Sequence, residues 1–240
     1  IRNTFRYLLG NINDNFENIN LDELDLSELP ELEQFMLHKI FVLNDKFKKY
    51  FRNYDFHNLY KELLNFCTVD LSAFYFDIRK DNLYCDPKDS KKRKSTILLL
   101  NIILNSLLKW FAPILSFTTE EIFNLLFKDQ KSIHLEKFHK YPDKFKNEKL
   151  SEKWSELIKI RNICNISIEE KRASKEIGSS LEADLKINLN QKLQKVTSNI
   201  DFSELCITSK AEVSYNEDVE TTAITSKAKG AKCPVCWKIN

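Results

Sequence analysis

Glycine is nearly missing from this chain, three residues in 240, and proline is sparse at five. So few turn formers argue against a fold built on tight hairpins and lead us to expect long helices with few breaks. No glycine-rich phosphate loop and no nucleotide-binding βαβ unit can be traced, which excludes the common nucleotide-cradling turns. Lysine and arginine are absent from residues 7 to 38, which carry eight carboxylates instead. The nearest thing to a membrane span is the apolar run from Ile97 to Phe117. It is interrupted by Ser106 and Pro113, and Asn101, Asn105 and Lys109 recur along it every four residues. That stripe predicts a buried helix with one wet edge rather than a span. The opening residues from Ile1 fall inside a helical pattern and not a signal peptide. Six cysteines without a secretory framework suit a reducing cytoplasm and free thiols, the last pair excepted.

What is present is enough to fold. The chain is 42% hydrophobic and 12% aromatic, sufficient for one large domain or two small ones. A net charge of +2 points to no nucleic-acid partner by itself, but its distribution is uneven. Residues 39–52 hold five basic groups against one acidic, and residues 137–161 hold eight against four. Basic surface is therefore local, as expected of a protein that touches part of an RNA.

Read in order, Ile1–Leu9 is a helix with Ile1, Phe5, Leu8 and Leu9 inward and Arg2, Asn3 and Arg6 off that face. Arg2 and Arg6 read either as solvated helix charge or as phosphate contacts, since a guanidinium fork fits phosphate oxygens and an asparagine can read a base edge. Residues 11–29 form an acidic connector, and Pro30 opens a helix whose core stripe is Leu32, Met36, Ile40, Leu43, Phe47, Tyr50 and Tyr54. Lys39, Lys46, Lys48, Lys49 and Arg52 read as its solvated faces. The stretch from Tyr54 to Tyr84 has no glycine or proline and predicts one long helix around which the chain is organised. Its apolar face runs through Phe56, Leu59, Tyr60, Leu63, Leu64, Cys67, Leu71, Phe74, Tyr75 and Ile78, with Arg79, Lys80 and Asp81 as a charged, solvated tip. A turn with a basic cluster at residues 91–94, a helix over 97–112, and a short helix to Phe127 opened by the capping-box pair Thr118 and Glu121 complete a bundle. Residues 131–147 lose all period and read as a linker, with His134 and His139 as surface histidines.

A helix follows over 150–172, with Arg161 in the middle of its apolar face. That position needs either a buried partner such as Glu182 or an anion seen through a gap. From Leu181 the period changes to two, giving a strand to Leu189, a short helix through Ile200, a second strand from Leu205 to Tyr215 and a third over 219–229. The expected fold is thus mainly α: an up-and-down helical bundle (1–130), a linker (131–149), a junction helix with a small α+β subdomain (150–229), and a terminal cysteine knuckle (230–240).

Several stretches resemble a known family. Ile-Arg-Asn-Thr-Phe-Arg-Tyr-Leu-Leu-Gly-Asn at the start, Asp-Phe-His with Phe-Cys-Thr-Val-Asp, and Phe-Tyr-Phe-Asp-Ile-Arg-Lys-Asp-Asn-Leu-Tyr are similar to the anticodon-binding domain of isoleucyl-tRNA synthetases. Lys175 to Ala183, Lys-Glu-Ile-Gly-Ser-Ser-Leu-Glu-Ala, resembles the C-terminal region of the same family more than its valyl or leucyl relatives. Arg172-Ala173-Ser174-Lys175 faintly echoes the ATP-binding Lys-Met-Ser-Lys-Ser loop, but no His-Ile-Gly-His partner accompanies it. The resemblance implies a C-terminal fragment of a class I, bacterial-type enzyme that joins isoleucine to tRNA(Ile) with ATP and magnesium and edits mischarged valine. The catalytic and editing domains would lie outside this fragment. A valyl or leucyl enzyme fragment and a stand-alone tRNA-binding module are the alternatives. The implied partner is tRNA(Ile), with no DNA and no membrane, in a monomeric cytoplasmic protein. Arg2, Asn3, Arg6, Lys80, Arg161 and Trp237 are the candidate RNA contacts.

Cys233-Pro234-Val235-Cys236-Trp237 is a Cys-x-x-Cys knuckle. Two thiolates at this spacing hold one side of a tetrahedral zinc, which needs four ligands. The family resembled here places another cysteine pair further along, so Cys233 and Cys236 are expected to be half of a zinc site. The other readings are a chance pair or a redox dithiol, and a redox dithiol would sit in a thioredoxin-like βαβ setting, which the sequence does not show.

Overall fold

The computed structural model describes all residues except 13–15, 18, 128–130, 218 and 240. The chain divides into two compact units, Ile1–Glu148 and Lys149–Asn240. It is mainly helical with a small three-stranded sheet, as the sequence predicts.

The first unit contains α1 (Arg2–Ile12), α2 (Glu31–Arg52), α3 (Phe56–Asn65), α4 (Asp77–Cys85), α5 (Lys91–Phe111) and α6 (Ser116–Leu126). Its hub is α5, which touches α1, α2, α4 and α6. The helix from Phe56 was expected to hold that place. The reason is burial: α5 is apolar on nearly every side, and even Asn101 is buried. The wet edge expected along Asn101 and Lys109 is largely covered. Asn101 accepts the Glu17 N–H at 3.3 Å, and Lys109 pairs with Glu136 at 3.2 Å. The helix also starts earlier than expected, because the Ser90 hydroxyl caps it by accepting the Arg93 N–H. The basic cluster at 91–94 is therefore its first turn. At α6 the expected capping box does not form; Leu115 is the N-cap, and the Thr119 hydroxyl turns back to the Leu115 carbonyl.

The run from Phe56 to Cys85 is helical throughout, but its middle, Phe66–Phe76, is wound as π-helix between α3 and α4. Phe66, Leu71 and Phe76, five residues apart, are all buried as a result. At the front of the run only part of the expected face is buried. Phe56, Tyr60 and Leu64 are exposed, while Leu59 and Leu63 are fully buried.

Polar side chains tie the core together. The Trp110 indole N–H donates to Asn44 Oδ1 at 3.1 Å, and Asn44 Nδ2 donates to the His139 carbonyl at 3.0 Å. Residues 131–147 lack period but not anchorage. Ile133, Tyr141 and Phe145 are buried, Tyr141 shares a hydrogen bond with the Ser106 hydroxyl, and the Asn147 N–H donates to His38 Nδ1 at 3.0 Å. His134 is exposed as expected, but His139 is half-buried, and burial pushes its imidazole down to about 4.

The second unit contains α7 (Glu148–Ala173), β1 (Ala183–Asn190), α8 (Gln194–Thr197), α9 (Phe202–Leu205), β2 (Lys210–Asn216) and β3 (Thr222–Lys227). The sheet order is β2-β1-β3, with β1 parallel to β2 and antiparallel to β3. The alternation read from sequence is real on β1: Ala183, Leu185, Ile187 and Leu189 are all buried. Leu205 and Ile207, expected on the second strand, belong instead to α9 and its end. Asp201 caps that helix by accepting the N–H groups of Ser203 and Glu204.

The scarcity of glycine shows at the helix ends. α2, α7 and α9 each stop in the same paired hydrogen-bond motif with one left-handed residue. These residues are Tyr54 (φ 55°), Lys175 (φ 61°) and Ile207 (φ 58°). At α2, the Asp55 N–H reaches the Tyr50 carbonyl and the Tyr54 N–H the Phe51 carbonyl; at α7, Glu176 and Lys175 repeat the pattern onto Lys171 and Arg172. Glycine normally fills that place because it carries no Cβ penalty.

Candidate nucleic-acid interface

The site begins on α1. Thr4, Phe5, Leu8 and Ile12 are buried, which turns Arg2, Asn3 and Arg6 to solvent. Neither arginine makes an ion pair among the described residues, so both guanidinium groups are available to an anion. Tyr7 links α1 to the π-helix: its ring stacks on Phe76 at 4.3 Å and 18°, and its hydroxyl donates to the Phe76 carbonyl at 3.5 Å. Burial raises the Tyr7 phenol, and the neighbouring Tyr84 and Asp77 add to the effect. Tyr84 itself is 66% exposed.

The α4 side of the site is held from below. Arg79, expected at a solvated tip, is buried. Its Nε and Nη2 donate to the two oxygens of Glu33 at 2.7 Å each, and the Tyr75 hydroxyl donates to the same carboxylate at 3.0 Å. A bidentate pair of this kind fixes orientation as well as charge. It pins α4 against α2 and thereby sets where the following residues point. Lys80, one residue on, is half-buried and pairs with Asp77 at 2.8 Å. The two side chains are 40% and 39% exposed, so the pair is weak and Lys80 can exchange Asp77 for another anion at little cost. Tyr84, an exposed aromatic ring at the end of a charged helix, is a further candidate that the sequence pattern does not single out. Nor does the pattern reveal the supporting role of Arg79.

The other two candidates lie in the second unit. Arg161 is buried at 8% exposure and donates Nε to the Leu205 carbonyl at 2.9 Å. Glu182, weighed as its partner, accepts the Gly178 N–H at 2.9 Å and lies 4.0 Å from Lys232. Trp237 is 60% exposed with a left-handed backbone, and Lys232 Nζ lies 5.4 Å from its ring centroid. The knuckle is a closed loop. Cys233 donates its N–H to the Lys238 carbonyl at 2.8 Å, Trp237 donates to the Cys233 carbonyl at 3.1 Å, and Lys232 bridges to Ile239. The N–H groups of Cys236 and Val235 hold the Cys233 thiol below its ordinary value. Amides aimed at a sulfur favour the thiolate, the form that ligates a metal. Among the described residues no group of three or more His, Cys, Asp or Glu side chains could hold a metal ion.

A family model described as the anticodon-binding domain of tRNA ligase matches residues 33–187. The chain belongs to that family. The matched residues include Lys80 and Arg161, and they leave α1 and the knuckle outside. Over its whole length the chain is 69% identical to the isoleucine–tRNA ligase of Pelagibacter ubique, covering 26% of that protein. It is 36% identical to the isoleucine–tRNA ligase of Bartonella henselae over 99% of this chain, and 37% identical to that of Agrobacterium fabrum over all of it. The chain spans about a quarter of the length of these relatives. Among the described residues no helix is long and apolar enough to cross a membrane.

Proposed function

We propose that this chain is the tRNA-recognition part of an isoleucine–tRNA ligase and that its cognate RNA is tRNA(Ile). The observation that carries this reading is the 69% identity to an isoleucine–tRNA ligase across every residue of the chain. Activation of isoleucine with ATP and magnesium, and editing of mischarged valine, belong to parts of the ligase outside these 240 residues. The working setting is a cytoplasmic monomer.

Anticodon bases are unpaired and can be splayed out, stacked and read at their edges. On this reading Arg2 and Arg6 hold backbone phosphates, Asn3 reads a base edge, Lys80 trades Asp77 for a phosphate, and Tyr84 offers a stacking face. Arg161 is a positioning residue, because its guanidinium is buried against Leu205. Trp237 is a further stacking surface on the terminal knuckle. The donor chemistry at Cys233 and Cys236 fits half of a structural zinc site, completed by a second thiolate pair from elsewhere in the ligase. Zinc would supply rigidity to the knuckle.

The test is binding of tRNA(Ile) transcript by the full-length protein across a salt series, with tRNA(Val) as control. The double variant Arg2→Glu/Arg6→Glu should weaken binding and lower the salt slope by about two, one for each lost phosphate contact. Unchanged affinity and slope would remove both residues from the interface, and equal binding of tRNA(Val) would overturn the isoleucine assignment.

A further inference from the structure

We infer that the corner between α2 and α3 is a second RNA contact, a stacking platform for one unpaired nucleotide outside the anticodon loop; this rests on the tRNA-binding reading above. Tyr54 is 81% exposed and Phe56 is 44% exposed, and their rings meet edge-on at 6.3 Å. Phe51 stands behind them, 5.8 Å from Phe56 and 5.0 Å from Phe138. The result is a rigid aromatic ledge with its outer rings uncovered. The left-handed backbone at Tyr54 does not single the corner out, since Lys175 and Ile207 end their helices in the same way. What does so is the exposed ring pair together with the charge around it.

That charge selects the occupant. Lys49 and Arg52 lie in the last turn of α2, and Lys137 precedes Phe138 in the chain. None of the three forms an ion pair or a side-chain hydrogen bond among the described residues. Further back on the same helix, by contrast, Lys39 pairs with Asp70, Lys46 with Glu62 and Lys48 with Asp45. The carboxylate of the corner, Asp55, is committed to capping α3, where it accepts the Asn58 backbone N–H at 3.2 Å and the Asn58 side-chain amide at 2.7 Å. Uncovered aromatic faces rimmed by unpaired cations are how proteins hold single-stranded nucleotides: the rings take the base and the cations take the phosphates. An apolar protein partner would need a wider apolar patch and would gain nothing from three unmatched cations.

The position is distinct from the anticodon site. The continuous helix Phe56–Cys85 is roughly 40 Å long, and Tyr84 and Tyr54 flank its opposite ends. The platform therefore meets a part of the tRNA that a short anticodon hairpin does not supply.

The experiment compares the full-length protein with Tyr54→Ala, Tyr54→Phe and Arg52→Glu, titrated with whole tRNA(Ile) and with a hairpin of the anticodon arm alone. Losing one stacked base should weaken whole-tRNA binding about tenfold in Tyr54→Ala, while Tyr54→Phe keeps it. Arg52→Glu should weaken it and lower the salt slope by about one. Hairpin binding should be the same in all four proteins. Whole-tRNA affinity unchanged in both Tyr54→Ala and Arg52→Glu overturns the platform, even if Arg2→Glu/Arg6→Glu still loses binding and the recognition reading stands. Wild-type protein that binds neither RNA overturns that reading instead. Equal loss on the hairpin also overturns the proposal, because the corner would then belong to the anticodon site. Circular dichroism of each variant separates lost contact from lost fold.

Discussion

The first unit is held in register by polar side chains that cross its core, the second mainly by a backbone ladder. In the first, Glu33 grips Arg79, and Trp110 is tied through Asn44 to the carbonyl of His139. These partners are far apart in sequence, so they specify which helix faces which. In the second, β1 pairs along its length with β2 and β3, and its buried face is plain aliphatic. Buried polar ties give uniqueness but punish the loss of one partner. Ladders spread the same task over many weak, repeated bonds. The first unit should therefore be the more brittle of the two, both to single substitutions and to acid.

The sharpest way to break this contrast is Glu33→Ala. It leaves the Arg79 guanidinium buried without its carboxylate and should cost about 3–5 kcal/mol. Replacing both partners at once, Glu33→Leu with Arg79→Met, should restore most of that loss. Chemical denaturation followed by tryptophan fluorescence reads it, with Trp110 reporting the first unit and Trp154 the second. A small loss in the single variant would mean that the buried pair is not what fixes α4.

Acid gives the next largest effect. All four histidines of the chain lie in the first unit. Burial, helped by Lys109 and Lys48, pushes His139 down from 6.5 to about 4, and burial also lowers His38, whose Nδ1 accepts the Asn147 N–H. Because the folded value lies below the unfolded one, the unfolded chain binds the proton first. The contribution of His139 is thus complete above pH 6.5 and is lost as pH falls toward 4. It should amount to on the order of 2 kcal/mol across that window. Unfolding free energies measured stepwise from pH 7 to pH 4 should fall in the first unit, and His139→Gln should flatten the curve. An equally steep fall in the histidine-free second unit would show that carboxylates dominate instead.

The smallest effect runs the other way. Lys175 is an exposed non-glycine residue in a left-handed helix end. Lys175→Gly should relieve that strain and stabilise the second unit by roughly 0.5–1 kcal/mol. A thermal melt of the variant that shows no gain would mean that the lysine side chain already compensates the backbone.

Much of this was legible from residue pattern. The 3.6 period placed α7 almost to the residue, and strict alternation found β1. Other features were readable but overlooked: Asp201 with Glu204 three residues on is a helix start, and Ser90 ahead of Lys91 is another. What pattern alone does not carry is which of two faces wins. Phe56, Tyr60 and Leu64 form a stripe as apolar as that of Leu59 and Leu63, yet only Leu59 and Leu63 are buried. The candidate interface was half legible. Pattern and resemblance single out Arg2, Asn3, Arg6, Lys80, Arg161 and Trp237, of which Arg161 is buried, but the burial of Arg79 depends on Glu33, 46 residues away, and no local signal foretells that pairing.

The π-wound stretch from Phe66 to Phe76 acts as a phase setter. A helix is a screw, and each residue added or removed turns everything beyond it by about 100°. If this stretch were shortened by one residue and rewound as ordinary α-helix, α4 would rotate like the far end of a crankshaft. Arg79 would swing away from Glu33, and the Lys80 and Tyr84 side chains would turn with it. The wider coil is thus an angular offset written into the chain, and the azimuth of α4 depends on it.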